Sequence, residues 1–82
     1  MTPKLPSDIS GRQLARALSK FGYQITRQTG SHLRLTTTTN GEHHVTVPDH
    51  DHLKVGTLSG IVGDVAQHLE SSKGEIIDQL FR

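Results

Sequence analysis

The sequence predicts an α+β fold. The expected order is helix, three antiparallel strands, helix and a short C-terminal helix, with the helices on one face of the sheet. Three observations carry this. Apolar residues recur at helical spacing between Ser10 and Gly22 and again from Leu58 to Leu69. Between those stretches, residues 23–48 alternate apolar and polar in three short runs. Glycine-bearing turns, Thr29-Gly30-Ser31 and Thr39-Asn40-Gly41, separate the runs.

Residues 1–9 contain Pro3 and Pro6 and little apolar mass, and read as a flexible arm. Ser10-Gly11-Arg12-Gln13 fits a capping box, in which side chain and backbone satisfy each other's free N–H groups. Leu14, Ala17, Leu18 and Phe21 then form one apolar stripe. Arg12, Arg16 and Lys20 lie beside it on one face, which is either solvated or turned to RNA. Gly22 stands where a C-terminal glycine belongs.

The first strand, Tyr23 to Gln28, places Tyr23, Ile25 and Arg27 on one face and Gln24, Thr26 and Gln28 on the other. In the second, His32 to Thr37, Leu33 and Leu35 point inward while His32, Arg34 and Thr36 point outward. In the third, Val45 and Val47 point inward, and Pro48 ends the strand because proline cannot extend the ladder. Paired residues must share a face. That rule pairs Leu35 with Val45 and Leu33 with Val47 across a three-residue Thr39-Asn40-Gly41 loop. It also pairs Ile25 with Leu35, and Gln28 with His32, across a three-residue Thr29-Gly30-Ser31 loop. Ile25, Leu33, Leu35, Val45 and Val47 then make the face that the helices cover.

Asp49 to Gly56 reads as a polar loop, and Thr57 as the N-cap of the second helix. Leu58, Ile61, Val62, Val65 and Leu69 form that helix's stripe. Ser72-Lys73-Gly74-Glu75 fits a second capping box, opening a helix with Ile76, Ile77, Leu80 and Phe81. The chain is read as one domain: an arm at 1–9, a core at 10–70 and a helical tail at 72–82.

Composition limits what this domain can do. With 82 residues, 32% hydrophobic and 4% aromatic, the core is thin. A net charge of +1 means that any nucleic-acid surface must come from local placement. There is no cysteine, so no disulfide framework and no thiol nucleophile. No secretory h-region or membrane-spanning stretch is present, and a cytoplasmic location is expected. No P-loop or dinucleotide-binding glycine pattern occurs.

The candidate site is the outward row that begins at His32. Gly30 permits an unusual backbone conformation, and the N–H groups of Ser31 and His32 are placed to face a phosphate. Arg34, two residues on, offers a forked donor to phosphate oxygens or is a solvated strand charge. Lys54 is a further candidate RNA contact. Asp49-His50-Asp51-His52, after His43-His44, has metal-ligand composition, yet its spacing matches no standard zinc site. No metal and no cofactor are assigned.

The landmarks Phe21-Gly22-Tyr23, Gly30-Ser31-His32, Val45-Thr46-Val47-Pro48 and Gly56-Thr57-Leu58 with Ile61 fall in order along the chain. In this they resemble the HicA toxins, from about Ser10 to Val65. The resemblance implies a double-stranded-RNA-binding-domain-like α-β-β-β-α fold and an mRNA interferase. It also implies His32 as the catalytic histidine and a HicB antitoxin that blocks the site. Two features depart from the pattern: a longer linker from His68 to Gly74, and a less basic chain.

The chemistry that fits is metal-independent. A neutral imidazole takes the proton of the ribose 2′-hydroxyl, and an imidazolium protonates the leaving 5′-oxygen. An ordinary histidine pKa of about 6.5 suits both roles. His44 is the candidate second group on the same face. The rival reading is a non-catalytic RNA-binding or protein-interaction module with the same fold.

Overall fold

The computed structural model describes residues 5–81. The first helix, α1 (Gly11–Leu18), tightens into a 3-10 turn over Ser19–Phe21. Three strands follow, β1 (Gln24–Thr29), β2 (His32–Thr37) and β3 (His43–Pro48), and then α2 (Val55–His68) and α3 (Lys73–Leu80). The strands form one open antiparallel sheet in the order β1-β2-β3. The class and the element order are those the sequence predicts.

Local chemistry explains most of the boundaries. The Ser10 hydroxyl accepts the Gln13 N–H, and the Gln13 side chain accepts the Ser10 N–H, so the capping box is complete. Gly22 ends the 3-10 turn at φ +83°, where a side chain would be strained. Ser72 caps α3 by accepting the Glu75 N–H. The start of α2 differs from expectation. Its N-cap is Lys54 and not Thr57, and Leu58 N–H already bonds to the Lys54 carbonyl. No side chain caps that end, so no residue type marks it.

Leu33, Leu35, Val45 and Val47 of the sheet are buried against Leu14 and Leu18 of α1 and Leu58, Val62 and Val65 of α2. From α3, Ile76, Ile77 and Leu80 close the layer. The molecule measures 38 × 30 × 18 Å, and the short dimension holds one sheet and one helical layer. Two expected positions change. Ile9, read as part of an arm, is 7% exposed, and its carbonyl accepts the Leu53 N–H. One apolar side chain with a backbone partner suffices to dock that end. Ile25, read as core, is 45% exposed because β1 is an edge strand that the helices do not fully cover.

The β2–β3 register is as expected, with Leu33 opposite Val47 and Leu35 opposite Val45. The β1–β2 register is not. Ile25 does face Leu35, but the ladder then shifts by one residue, so that Arg27 opposes Arg34, Gln28 opposes Leu33 and Thr29 opposes His32. The turn is therefore the two residues Gly30 and Ser31, and the surplus residue is taken up as a β-bulge at Thr26. Only Gly30 of the turn pair has positive φ (+56°), the pattern of a type II′ turn, whose twist suits a hairpin.

The far end of the sheet is locked to α2. Buried Tyr23 donates its hydroxyl to His43 Nδ1 at 2.7 Å, and His43 Nε2 faces Asp64 at 3.3 Å. The His43 ring stacks on His68 at 4.3 Å, and His68 Nε2 donates to the carbonyls of Thr39 and Gly41. Burial, and then the Asp64 charge, pushes the Tyr23 hydroxyl up to about 12 from its ordinary 10.0. The folded protein thus keeps a proton that the unfolded chain has released, and stability falls as pH rises from about 10 to about 12. Denaturant melts between about pH 9 and 12 are expected to show this fall in the wild type and a shallower one in Tyr23→Phe. Equal slopes in the two proteins contradict the assignment.

Candidate functional site

The helices leave one sheet face uncovered, and that face carries the candidate site. His32 opens β2 directly after the Gly30–Ser31 turn and is exposed. Its imidazole has no hydrogen-bond or ion-pair partner among the described residues. Arg34 follows two residues later on the same face, opposite Thr46 and also exposed.

Backbone contacts make the His32 end of the sheet rigid. The Ser31 carbonyl accepts the Asp49 N–H at 2.6 Å, tying the turn to the loop after β3. Gly11 N–H donates to the His50 carbonyl at 2.9 Å. The approach is so close that a Cβ on Gly11 would lie 1.9 Å from the Pro48 oxygen. Arg12 then spans the junction. Its Nε and Nη2 donate to the Asp49 carboxylate at 3.2 and 3.0 Å, and Nη2 also reaches Gln28 Oε1 at 3.3 Å. Gln28 can be reached from α1 because the bulge has turned it to the helical side.

The other sequence candidates are placed as follows. Gly30 and Ser31 form the turn itself, with open space where a Gly30 Cβ would stand. Lys54 sits at the N-cap of α2, in the helical layer and not on the strand face that carries His32. His44 is on the open face but opposes Thr36, four residues from His32 along β2 and so about 13 Å away. It is held there, with Nδ1 at 2.8 Å from the Thr36 hydroxyl and Nε2 at 3.0 Å from Glu42. The structure does not bring His44 and His32 together.

The acid–histidine run 49–52 fixes the loop. Asp49 pairs with Arg12, the His50 carbonyl takes the Gly11 N–H, and His52 Nδ1 meets Asp8 at 2.5 Å. Among the described residues, no group of three or more His, Cys, Asp or Glu side chains is arranged to hold a metal ion. A groove of about 380 Å³ runs between α1 and β1, lined by Arg12, Arg16, Tyr23 and Ile25 among others. His32 is not among its lining residues and lies on the open sheet face.

Arg27 is the residue that sequence reasoning misplaced. Simple alternation set it on the covered face, whereas the bulge sets it on the open face, directly opposite Arg34. Gly30-Ser31 is itself a two-residue turn signal. With that turn, and with Ile25 opposite Leu35, one residue of β1 is left over and has to bulge.

The molecule is a two-layer α+β protein whose uncovered sheet face presents an exposed histidine and exposed arginines. The chain belongs to the HicA toxin family: the family model described as HicA toxin of bacterial toxin-antitoxin matches residues 11–69. It is thus a toxin of a toxin–antitoxin system, and an antitoxin is its partner. No curated protein and no solved structure matches the chain. Among the described residues, no helix is long and apolar enough to cross a membrane.

The two glycines at this end separate crowding from backbone strain. Gly11→Ala meets backbone atoms and is expected to cost about 3 kcal/mol or more. Gly30→Ala meets nothing but keeps a left-handed φ, and is expected to cost about 1–2 kcal/mol. Urea unfolding of the two variants measures both. A Gly11→Ala protein as stable as Gly30→Ala would contradict the packing described.

Proposed function

We propose that the protein is an endoribonuclease, an mRNA interferase that cleaves by histidine acid/base catalysis in the cytoplasm. The observation that carries this reading is the exposed, unpartnered imidazole of His32, fixed at a strand start beside Arg34 in a HicA-family chain. RNA brings its own nucleophile. His32 takes the 2′-hydroxyl proton as the oxygen attacks the adjacent phosphorus, and the imidazolium returns a proton to the departing 5′-oxygen. Arg34 draws on its permanent charge to hold a phosphate oxygen, and the Ser31 and His32 N–H groups beside Gly30 support the same anion. Lys54 adds a longer-range contact from the start of α2.

This chemistry needs no metal, since the 2′-hydroxyl replaces an activated water. The element order is that of a double-stranded-RNA-binding-domain-like fold, which supports RNA as the substrate class. A HicB-like antitoxin would neutralise the toxin by covering the open face, because that face holds the imidazole and a free guanidinium.

Wild type and His32→Gln, incubated with mRNA, test the reading. Cleavage is expected to fall by about 10²-fold or more in the variant. Its stability is expected to stay within about 0.5 kcal/mol, since an exposed strand-end residue contributes little to the core. Products should carry 2′,3′-cyclic phosphate and 5′-hydroxyl ends, with or without EDTA. Full activity in His32→Gln, or 3′-hydroxyl ends made only with a divalent cation, would overturn it.

A further inference from the structure

We infer that Arg27 and Arg34 together form a two-guanidinium seat for a second RNA phosphate, one nucleotide from the phosphate at His32, with Arg34 between the two phosphates and its five N–H donors shared between them. The inference rests on the ribonuclease reading and adds a binding residue to it.

The register is the first support. Arg27 and Arg34 are directly opposed across β1 and β2 on the open face, and both are exposed. Like charges in that position repel each other, so the pair works against the fold while it is empty. Neither guanidinium has an ion-pair or hydrogen-bond partner among the described residues. By contrast, Arg12 holds Asp49, and Lys20 donates to the Gln79 carbonyl at the end of α3. An anion bridging both guanidiniums would remove the repulsion and fill their planar donor forks, and phosphate geometry matches such forks.

Spacing is the second support. His32 and Arg34 are two residues apart on one strand face, about 6.6 Å, close to one nucleotide step of an extended strand. A phosphate at His32 therefore sets its neighbour over the arginine pair. Composition is the third. The aromatics Phe21, Tyr23 and Phe81 all pack into or against the core, so the open face has no phenyl, phenol or indole ring on which bases could stack. Apart from stacking on the His32 and His44 imidazoles, grip on RNA has to come from the sugar–phosphate chain, and the net charge of +1 concentrates that task in a few residues.

The test uses the full chain, a short single-stranded RNA with one cleavage position, and copies in which the phosphate on either side of the scissile one is a neutral methylphosphonate. In the wild type, one methylphosphonate is expected to raise KM about tenfold with little change in kcat. Arg27→Ala should raise KM similarly on normal RNA and be insensitive to that same methylphosphonate, whereas Arg34→Ala, which also removes a donor from the scissile phosphate, should lower kcat as well. Binding of RNA to His32→Gln should lose about 0.7 from its log–log salt slope when Arg27→Ala is added. Thermal melts without RNA should show Arg27→Ala no less stable than wild type, which separates lost contact from lost fold. Methylphosphonate penalties that persist unchanged in Arg27→Ala overturn the inference. Unaltered RNA binding, with weakened binding of a poly-glutamate peptide, overturns it in favour of an acidic protein partner. A wild type that cleaves no RNA ends the ribonuclease reading first, and this inference with it. Cleavage that is lost in His32→Gln but unaffected in Arg27→Ala ends only the inference.

Discussion

The structure depends on a sheet that is covered on one side only. A chain of 82 residues with 32% hydrophobic content has apolar surface for one interface between two layers, and the 18 Å thickness is that of two layers. Along β2 this forces a division of labour. Leu33 and Leu35 are fully buried, so His32 and Arg34 must stand on the other side. A slip of one residue would bury His32 and Arg34 and expose both leucines. The exposure alone costs about 3–6 kcal/mol, of the order of the whole stability of so small a domain. The same packing that folds the protein therefore holds the imidazole in solvent.

That reasoning also explains which parts of the fold are legible in the sequence. Leu33, Leu35, Val45 and Val47 contrast sharply with His32, Arg34, His44 and Thr46, so the β2–β3 register has one acceptable solution. In β1 only Ile25 marks a face, and Gln24, Thr26, Arg27, Gln28 and Thr29 are polar whichever way they point. Nothing in their alternation resists a bulge, and tertiary partners decide it: Thr26 bonds to the Thr36 hydroxyl at 2.8 Å, while Gln28 turns to Arg12. Ser10 and Ser72 announce their helices because their side chains do the capping, whereas α2 begins at an uncapped Lys54. The Tyr23–His43–Asp64 contact joins residues far apart in sequence, and no local pattern encodes it.

The loop after β3 shows how composition misleads when geometry is unknown. Asp49-His50-Asp51-His52 has the residue types of a metal site, but the Asp49 and His52 side chains pair with Arg12 and Asp8, and the His50 carbonyl takes the Gly11 N–H. With the Ser31–Asp49 hydrogen bond, these contacts tie three separate segments, the start of α1, the Gly30–Ser31 turn and the end of β3, into one unit behind His32. A side chain at a hairpin end keeps its place only if that end does not fray. The close approach of Gly11 to Pro48 and the Ser31–Asp49 hydrogen bond supply the stiffness that a two-residue turn lacks alone.

On the proposed mechanism, one imidazole faces two proton transfers. His44 cannot share them, because it is bonded to Thr36 and Glu42 about 13 Å along the sheet. A two-histidine site can remove and deliver protons together. A single-histidine site has to take the proton first and return it later, so the pentacovalent phosphorane must last long enough for the imidazolium to be reused. The charge on that species is what a guanidinium stabilises, and arginine stays protonated throughout. Arg34 therefore matters more here than it would beside a second histidine: it replaces simultaneous acid catalysis with electrostatic stabilisation of the intermediate. On that mechanism the bare, cationic end of the sheet takes part in the chemistry as well as in binding.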